Sequence, residues 1–406
     1  MLLTPEVGMR SAYREILITM SRHLQLSLCL MTTLCTGAVF AQPSIQDSTD
    51  GAPVAYIYVA ASKSADANQI FAFAAASNGK LTEVKGSPFP ANVSNMAVNE
   101  KYLFGTDRDQ VYIHSFTVEP DGALKEVASL SAQKYNSGDC GVLGPLFLDQ
   151  TGATLYDLDF DGNACANNTY QSFRIDKTIG DLDFLGSDGA DAWFKNPLSF
   201  VGNNTYAYGA VCLSDMYWKI YAFQRHSDGM LTEANVSAPT PTAKGEGFYC
   251  PNLTTADHAN HVVISLQAVV GVTFGPDGPP QLATYTAETS GNLTTKSTRD
   301  DMPETAVGSV TDIAVSPSGK LLAVGGTAGL QIFHFNGSDP ITRYTGLLTT
   351  DDVSQLFWDN DNHLYAISRS SGKLFVFTMT STSFSQAPGS PYMIRQPANV
   401  TVLPRT

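Results

Sequence analysis

Apolar and polar positions alternate along most of the chain in short, strand-length runs separated by tight polar turns. In the clearest copy, residues 311–315 form a first strand, 316–319 a turn, 321–324 a second strand and 330–335 a third strand with aromatic alternation. Alternation with period two places one face of each strand against a neighbouring layer. No stretch shows a sustained helical period, so the pattern predicts an all-β fold.

The same unit recurs seven times. Its second strand starts near Tyr56, Tyr102, Leu155, Tyr206, Val262, Leu321 and Leu364, at intervals of 43 to 59 residues. This spacing fits four strands per unit, as in propeller blades. Glycine dipeptides at residues 78–79, 121–122, 228–229 and 290–291 supply the positive φ angles of short hairpins. We therefore predict a seven-bladed β-propeller of four-stranded antiparallel blades.

The first repeat lacks an inner strand, because residues 56–59 already correspond to a second strand. The missing strand lies at the other end of the chain. Residues 397–404 align with 310–317, which places Val400 on Ile313 and Val402 on Val315. The C-terminal strand is expected to complete the first blade and close the ring, which removes exposed sheet edges.

Composition narrows the function classes. Of the 406 residues, 43% are apolar and 15% are charged, which suits a compact chain with a large core. The formal net charge of −14 opposes binding to phosphate backbones or anionic membranes, because both require clustered Lys and Arg. We expect no nucleic-acid partner.

The first residues carry a targeting signal. Arg22 precedes an apolar run at residues 24–40, and Ala41 ends a cleavage site before Gln42. We assign residues 1–41 to an N-terminal extension and signal peptide, 42–52 to a short linker and 53–406 to the propeller. The apolar run is too short for a convincing membrane span. We expect an exported monomer, periplasmic or secreted, with no membrane span in the mature chain.

Each blade of a propeller has two ends. Connections from the second to the third strand and from one blade to the next emerge on one side, the loop face, and the short turns emerge on the other, the turn face. Length variation falls on the loop face, which is therefore the expected binding surface. Its candidate residues are Asp107, Arg108, Asp139, Asp191, Trp193, Lys195, Glu246 and Arg369.

The charge of the loop face indicates which partners it suits. Acidic residues outnumber basic ones in its loops, which disfavours anionic substrates. A small molecule, a carbohydrate or a basic protein segment fits better. Trp193, with Asp191 and Lys195 nearby, is a candidate for stacking on a sugar ring, and a packing anchor is the alternative.

Four cysteines follow the signal peptide and map to the loop face: Cys140, Cys165, Cys212 and Cys250. In an exported protein they are expected to form disulfides. No CxxC spacing or nearby histidine supports zinc. Of the three connectivities, Cys140–Cys165 with Cys212–Cys250 is preferred, because each pair would join loops of the same or adjoining blades.

A partial calcium motif lies after the second strand of the third repeat. Asp157, Asp159 and Asp161 alternate as the first oxygen ligands of a calcium loop do, and Gly162 follows them. The distal acidic ligand is missing, because the twelfth position is Asn168. Solvated turn residues are the preferred interpretation, and calcium, the one cofactor suggested, is the alternative.

Histidine is the commonest general base, but the histidines of this chain are predicted to lie outside the expected binding surface. His114, His226 and His334 lie on or beside third strands, and His258, His261 and His363 lie on turn-face hairpins. Packing or surface roles are expected for them.

Residues 56–60, 79–89 and 313–322 resemble the lactonase family of seven-bladed propellers, which includes 6-phosphogluconolactonase-like proteins and muconate-cycloisomerase relatives. The resemblance covers essentially all of the chain after residue 52. It implies the propeller fold and, for an enzyme, hydrolysis of a lactone. The same motifs are shared with binding propellers of the YVTN type, because they report how a blade is built.

The sequence departs from this family where its enzymes carry their catalytic residues. A His-rich start to the third blade, an Arg-His pair at the fourth and a following acid are replaced by residues 144–147, 196–199 and Val211-Cys212. Opening a lactone needs a base or metal to activate water and a donor for the oxyanion.

Two hypotheses about function follow. The preferred one is an exported propeller that binds a ligand or protein on its loop face without the usual lactonase chemistry. The alternative is a lactonase-like hydrolase of a sugar lactone, assisted by metal at Asp157, Asp159 and Asp161.

Overall fold

The computed structural model describes residues 51–64, 67–131, 141–161, 168–189, 194–214, 217–241, 247–270, 275–276 and 278–405. These residues form seven antiparallel sheets, the blades of a β-propeller, as predicted. None of them belongs to a helix with the length and apolarity that a bilayer span needs. The predicted signal peptide lies outside the described residues.

Strands are numbered in chain order, and each blade is given from its innermost strand outward. Blade 1 contains β31 (Pro397–Pro404), β1 (Ala55–Ser62), β2 (Asn68–Ala75) and β3 (Leu81–Glu83). Blade 2 contains β4 (Val93–Val98), β5 (Tyr102–Asp107), β6 (Tyr112–Val118) and β7 (Leu124–Ser131). Blade 3 contains β8 (Gly141–Val142) and β9 (Leu146–Leu148), which both pair with β10 (Thr154–Asp161), then β11 (Thr169–Ile175) and β12 (Leu182–Asp188).

The remaining blades follow the same plan. Blade 4 contains β13 (Ser199–Phe200), β14 (Tyr206–Ser214), β15 (Tyr217–Arg225) and β16 (Leu231–Ala234). Blade 5 contains β17 (Phe248–Ala256), β18 (His261–Val270), β20 (Gln281–Ala287) and β21 (Leu293–Thr294), with β19 (Gly275–Pro276) beside β18. Blade 6 contains β22 (Val310–Val315), β23 (Leu321–Gly326), β24 (Gly329–Asn336) and β25 (Asp339–Thr349). Blade 7 contains β26 (Gln355–Trp358), β27 (His363–Ser368), β28 (Lys373–Met379) and β29 (Phe384–Gln386), with β30 (Tyr392–Met393) beside β28.

The second strands start at the predicted residues or one residue earlier. The ring is closed as predicted, because β31 pairs with β1. Val400 lies opposite Val59, and Val402 lies opposite Ile57. The first and last strands of the propeller therefore lie in one sheet, which leaves no open edge at the seam between the last blade and the first.

The loop face holds more strand than the sequence predicted. Strand β18 continues to Val270 and pairs with β19, where a loop over residues 266–281 was expected. Cys212 and Cys250 lie in strands β14 and β17 and not in loops. The reason is cross-strand pairing: Cys212 lies opposite Trp218 and Cys250 opposite Gln267, so the ladders extend past the point where the local pattern becomes polar.

The core is divided among the blade junctions. Seven apolar clusters of described residues each lie between two neighbouring blades. Between blades 1 and 2, for example, Tyr58, Met96 and Phe116 pack together. Each sheet therefore buries both faces, and burial of this apolar surface is the main force that holds the blades side by side.

A tyrosine anchor recurs at these junctions. The hydroxyls of Tyr58, Tyr156 and Tyr208 donate to the carbonyls of Gly122, Gly229 and Gly291 in the outer hairpin of the next blade, at 3.0, 2.7 and 2.9 Å. Gly122 has a φ of +86°, and a Cβ there would lie 2.5 Å from the ring of Tyr56. Glycine is required at this turn both for its backbone angle and for its contact with the preceding blade.

A second set of contacts links the blades near the axis, where one polar side chain at each junction bonds the backbone of the next blade. In order around the ring these are Asn399 with Met96 N, Asn95 with Gly144 O, Gln150 with Phe200 O, Asn196 with Asn252 O, Thr255 with Val315 N, Asp312 with Leu356 N, and Gln355 with Val400 N. The distances run from 2.7 Å for Asp312 to 3.3 Å for Thr255. Each such bond contributes about 1 kcal/mol and fixes the angular position of a blade.

Candidate ligand site on the loop face

Four of the eight loop-face candidates lie within the described residues. Asp107 ends β5, and its Oδ1 accepts hydrogen bonds from the backbone N of Val111 and Tyr112 at 2.6 and 2.8 Å. Asp107 therefore closes the turn into β6. Arg108, Lys195 and Arg369 are exposed. No hydrogen bond or ion pair joins any two of these four. The other candidates, Asp139, Asp191, Trp193 and Glu246, lie outside the described residues and stay predictions.

The aspartates of the partial calcium motif lie along β10. Asp157 is fully buried, and its Oδ1 accepts a hydrogen bond from Gly144 N at 3.0 Å. Its Oδ2 has no hydrogen-bond partner among the described residues. Asp159 is 8% exposed, and its Oδ2 accepts a hydrogen bond from Gln171 Nε2 at 3.3 Å. Burial, and then the Asp159 carboxylate, raise the pKa of Asp157 well above its usual range.

This environment decides what Asp157 does chemically. Because burial raises the pKa of Asp157, its charged form is disfavoured, which weakens it as a ligand for a cation. Among the described residues, no group of three or more His, Cys, Asp or Glu side chains is placed to hold a metal. The side chain of Asp161 is outside the described residues, so calcium at Asp157, Asp159 and Asp161 stays a prediction.

The preferred disulfide between Cys212 and Cys250 is present. It joins β14 of blade 4 to β17 of blade 5, with the two Cα atoms 5.3 Å apart and 38 residues between them in sequence. The bond ties neighbouring blades together at the loop face. Cys140 and Cys165 lie outside the described residues, and their pairing stays a prediction.

A pocket of about 330 Å³ opens beside this disulfide. Its lining residues come from blades 4, 5 and 6 and are Cys212, Cys250, Asn252, Ser265, Leu266, Gln267, Val269, Pro280, Ser309 and Val310. The volume falls within the range of about 300–1,000 Å³ that small-molecule pockets usually have. No Lys, Arg, Asp or Glu is among these lining residues. The pocket therefore offers apolar walls with amide and hydroxyl groups.

Two of the polar groups in the wall are fixed by the backbone. Gln267 Nε2 donates to the carbonyls of Ala268 and Gly278 at 3.2 and 2.9 Å. Ser265 Oγ accepts a hydrogen bond from Leu253 N at 3.1 Å. A polar group held in place before the ligand arrives loses less conformational entropy on binding.

A larger cavity, about 490 Å³, surrounds the axis near the turn face. Apolar inner-strand residues such as Phe357, Val400 and Val402 line much of it, with Gln150 and His258 at its rim. His258 Nδ1 and Gln150 Oε1 lie 3.0 Å apart. Any closed ring of blades leaves such a channel, so we take the loop-face pocket as the candidate ligand site.

At the positions where lactonases carry catalytic residues, this chain has residues that make structural contacts. Gly144 donates to the buried Asp157, Asn196 Nδ2 donates to Asn252 O at 3.0 Å, and Cys212 is in the disulfide. The described histidines lie on third strands or on the turn face, as predicted. His363, for example, is fully buried, and its Nδ1 lies 2.7 Å from Asp359 Oδ2.

Comparison with known proteins bears on the fold alone. No family model and no curated protein matches the chain. Solved structures do match. A putative 6-phosphogluconolactonase from Bacteroides fragilis has a TM-score of 0.58 at 14% identity, covering 88% of this chain and 99% of its own. The fold is that of the 6-phosphogluconolactonase-like propellers.

Two further structures show the same likeness. A protein from Lactobacillus plantarum has a TM-score of 0.61 at 14% identity, covering 86% of this chain and 99% of its own. The periplasmic gluconolactonase of Pseudomonas aeruginosa has a TM-score of 0.58 at 13% identity, covering 86% of this chain and 99% of its own. At such identities the shared fold does not carry function with it.

The pocket residues were missed by sequence analysis. Asn252, Ser265, Gln267 and Ser309 belong to two different strands and one connection, and none is part of a motif. The cysteine pair was the one available signal, because two cysteines in neighbouring blades mark the junction where the pocket opens.

Proposed function

We propose that the protein binds an uncharged polar small molecule, of the sugar or sugar-lactone class, in the loop-face pocket beside Cys212–Cys250. The observation that carries this proposal is the pocket itself, with a volume of about 330 Å³, apolar walls, amide and hydroxyl groups, and no charged side chain among its described lining residues. Neutral hydroxyl-rich ligands are matched by such groups, whereas a phosphorylated ligand would need a basic partner.

We further propose that binding takes place outside the cytoplasm. The disulfide supports this, because disulfides persist in oxidising compartments. The predicted signal peptide supports it as well, as does the similar structure from Pseudomonas aeruginosa, which is described as a periplasmic gluconolactonase.

Calorimetric titration of the purified protein tests the pocket. Glucose, glucono-δ-lactone, gluconate and 6-phosphogluconate are the probes, and the neutral ones are expected to bind in preference to the charged ones. Ser309 is exposed, and its backbone N bonds Thr327 Oγ1 at 3.1 Å, so a Ser309→Phe change fills the pocket without removing that bond. Ser385→Phe, at an exposed position on the outer strand of blade 7, is the matched control.

The result that supports the proposal is binding that is lost in Ser309→Phe and retained in Ser385→Phe. Preference for 6-phosphogluconate over the neutral probes, or equal affinity in both variants, would contradict it.

Lactone hydrolysis is the second candidate, because two of the similar structures are described as a putative 6-phosphogluconolactonase and a gluconolactonase. Turnover of glucono-δ-lactone in a pH-stat, with and without calcium, tests it. Metal-dependent turnover that disappears in Asp159→Ala would support hydrolysis at the β10 aspartates. An inactive wild type in both conditions would rule this candidate out.

A further inference from the structure

An aromatic pair, the exposed Trp218 and the half-buried Phe248, lies on the loop face beside the pocket. The rings of Trp218 and Phe248 stack with centroids 5.5 Å apart and an interplanar angle of 20°. Trp218 is 38% exposed, which is unusual for the largest apolar side chain. By contrast, Trp358 is 4% exposed, and its Nε1 donates to Ala314 O at 3.0 Å. Trp218 therefore presents a flat apolar surface to solvent.

The pair is continuous with the pocket through the strand ladders. Trp218 lies opposite Cys212 in the pairing of β14 with β15, and Phe248 lies opposite Val269 in the pairing of β17 with β18. Cys212 and Val269 both line the pocket. The Cys212–Cys250 disulfide joins β14, the strand paired with that of Trp218, to β17, which carries Phe248, so the aromatic pair lies directly beside the pocket.

We propose that Trp218 and Phe248 form a stacking platform for a pyranose ring, and that the ligand is a neutral glycan with one ring in the pocket and the next on the platform. This inference rests on the proposed function of the pocket. A pyranose with equatorial hydroxyls has an apolar C–H face that packs on an aromatic ring while its hydroxyls stay in water or reach the polar groups nearby. A single ring in the pocket would leave the platform exposed, and a glycan of two or more rings covers both.

The neutral walls of the pocket agree with this ligand class. Asn252, Ser265, Gln267 and Ser309 supply amide and hydroxyl groups, which match sugar hydroxyls, and the lining residues add no charge. Trp193, the stacking residue predicted from the sequence, lies outside the described residues and stays a prediction.

Tryptophan fluorescence tests the platform directly. The chain has 3 tryptophans, and in a Trp193→Phe background only Trp218 and the buried Trp358 remain. Glucose, cellobiose and cellotetraose are the probes. We expect cellobiose and cellotetraose to change the emission, because a ring on Trp218 displaces water, whereas glucose in the pocket leaves it nearly unchanged.

Affinity measurements on variants give the second readout. Trp218→Ala is expected to weaken cellotetraose binding about tenfold, as the loss of one stacked ring implies, with glucose binding unchanged. Tyr112→Ala is the matched control, because Tyr112 is 43% exposed and begins the third strand of blade 2 on the same face. Trp218→Leu, which keeps apolar bulk but no ring, gives the same answer if the alanine variant folds poorly.

The outcomes separate the platform from the pocket. An equal loss of glucose and cellotetraose affinity in the Trp218 variants, or unchanged cellotetraose affinity, would overturn the platform. If cellotetraose does not bind but glucono-δ-lactone does, and Ser309→Phe abolishes that binding, the platform fails and the proposed pocket stands. If no probe binds in a manner sensitive to Ser309→Phe, both fail.

Discussion

Asp312 tests how the ring of blades is held together near the axis. It lies in β22 of blade 6, where its Oδ1 accepts a hydrogen bond from Ile313 N at 2.8 Å. Its Oδ2 accepts one from Leu356 N in blade 7 at 2.7 Å. Burial outweighs these two donors and raises the pKa of Asp312 from 3.8 to about 7.

The raised pKa of Asp312 fixes the sign of the pH effect on stability. The folded state keeps the Asp312 proton where the unfolded chain has lost it, so the stabilisation is fully present below pH 3.8 and is lost as pH rises through about 7. A rise of this size corresponds to at most about 4 kcal/mol, and partial solvent contact reduces it. The substitution Asp312→Asn removes the titrating carboxyl group. An asparagine NH2 group facing Leu356 N cannot accept its hydrogen bond, so that backbone donor is left unpaired, at a cost of about 1–3 kcal/mol.

Urea unfolding at pH 5 and pH 8 measures both effects. We expect the variant Asp312→Asn to be less stable than the wild type at pH 5, and the difference to shrink or reverse at pH 8. Asp300→Asn is the control, because the Asp300 side chain is 83% exposed and contacts only the neighbouring Arg299. A stability difference between Asp312→Asn and wild type that is the same at both pH values would refute the reasoning.

Three further predictions concern stability. Gly122→Ala should cost about 2–4 kcal/mol in urea unfolding, because it combines a φ of +86° with a Cβ 2.5 Å from a tyrosine ring, whereas Gly319→Ala, with a φ of +63° and open space, should cost about 1 kcal/mol. Equal costs would show that the ring contact is unimportant. Val402 lies in the strand that closes the ring and is 2% exposed, so Val402→Ala should lower the free energy of unfolding by about 2 kcal/mol. An unchanged urea midpoint would argue against this strand as a determinant of stability. Replacing Cys212 and Cys250 by serine should cost about 4 kcal/mol from loss of a 38-residue closure, seen as a lower Tm that matches that of the reduced wild type.

The loop face and the turn face differ in how their connections are built. On the turn face, short hairpins with glycines receive tyrosine hydroxyls from the preceding blade, as Tyr58 does for Gly122. On the loop face, the connections vary and the strands run longer, so the surface differs from one junction to the next. The pocket at Cys212–Cys250 is a product of that variation, and the other junctions keep the scaffold rigid around it.

The architecture could be predicted because its causes are local and repeated. Period-two alternation and a recurring second strand appear in every unit, and six of the seven outer hairpins carry a glycine. A repeat that cannot bury its faces alone must stack on its neighbours. The seam between Val402 and Ile57 was predicted for the same reason, since the first unit lacked one strand and the last residues supplied it.

The sequence by itself determined the all-β class, the number of blades and the closing strand, because each depends on patterns that any blade must satisfy. For the cysteines it left three connectivities open, and the preferred one contains the Cys212–Cys250 bond that the structure shows. Only the tertiary structure decided which side chains meet between blades. The neutral pocket, the stack of Trp218 on Phe248 and the raised pKa of Asp312 arise where strands far apart in sequence come together. Burial and proximity across a blade junction are properties of packing, and no local pattern encodes them.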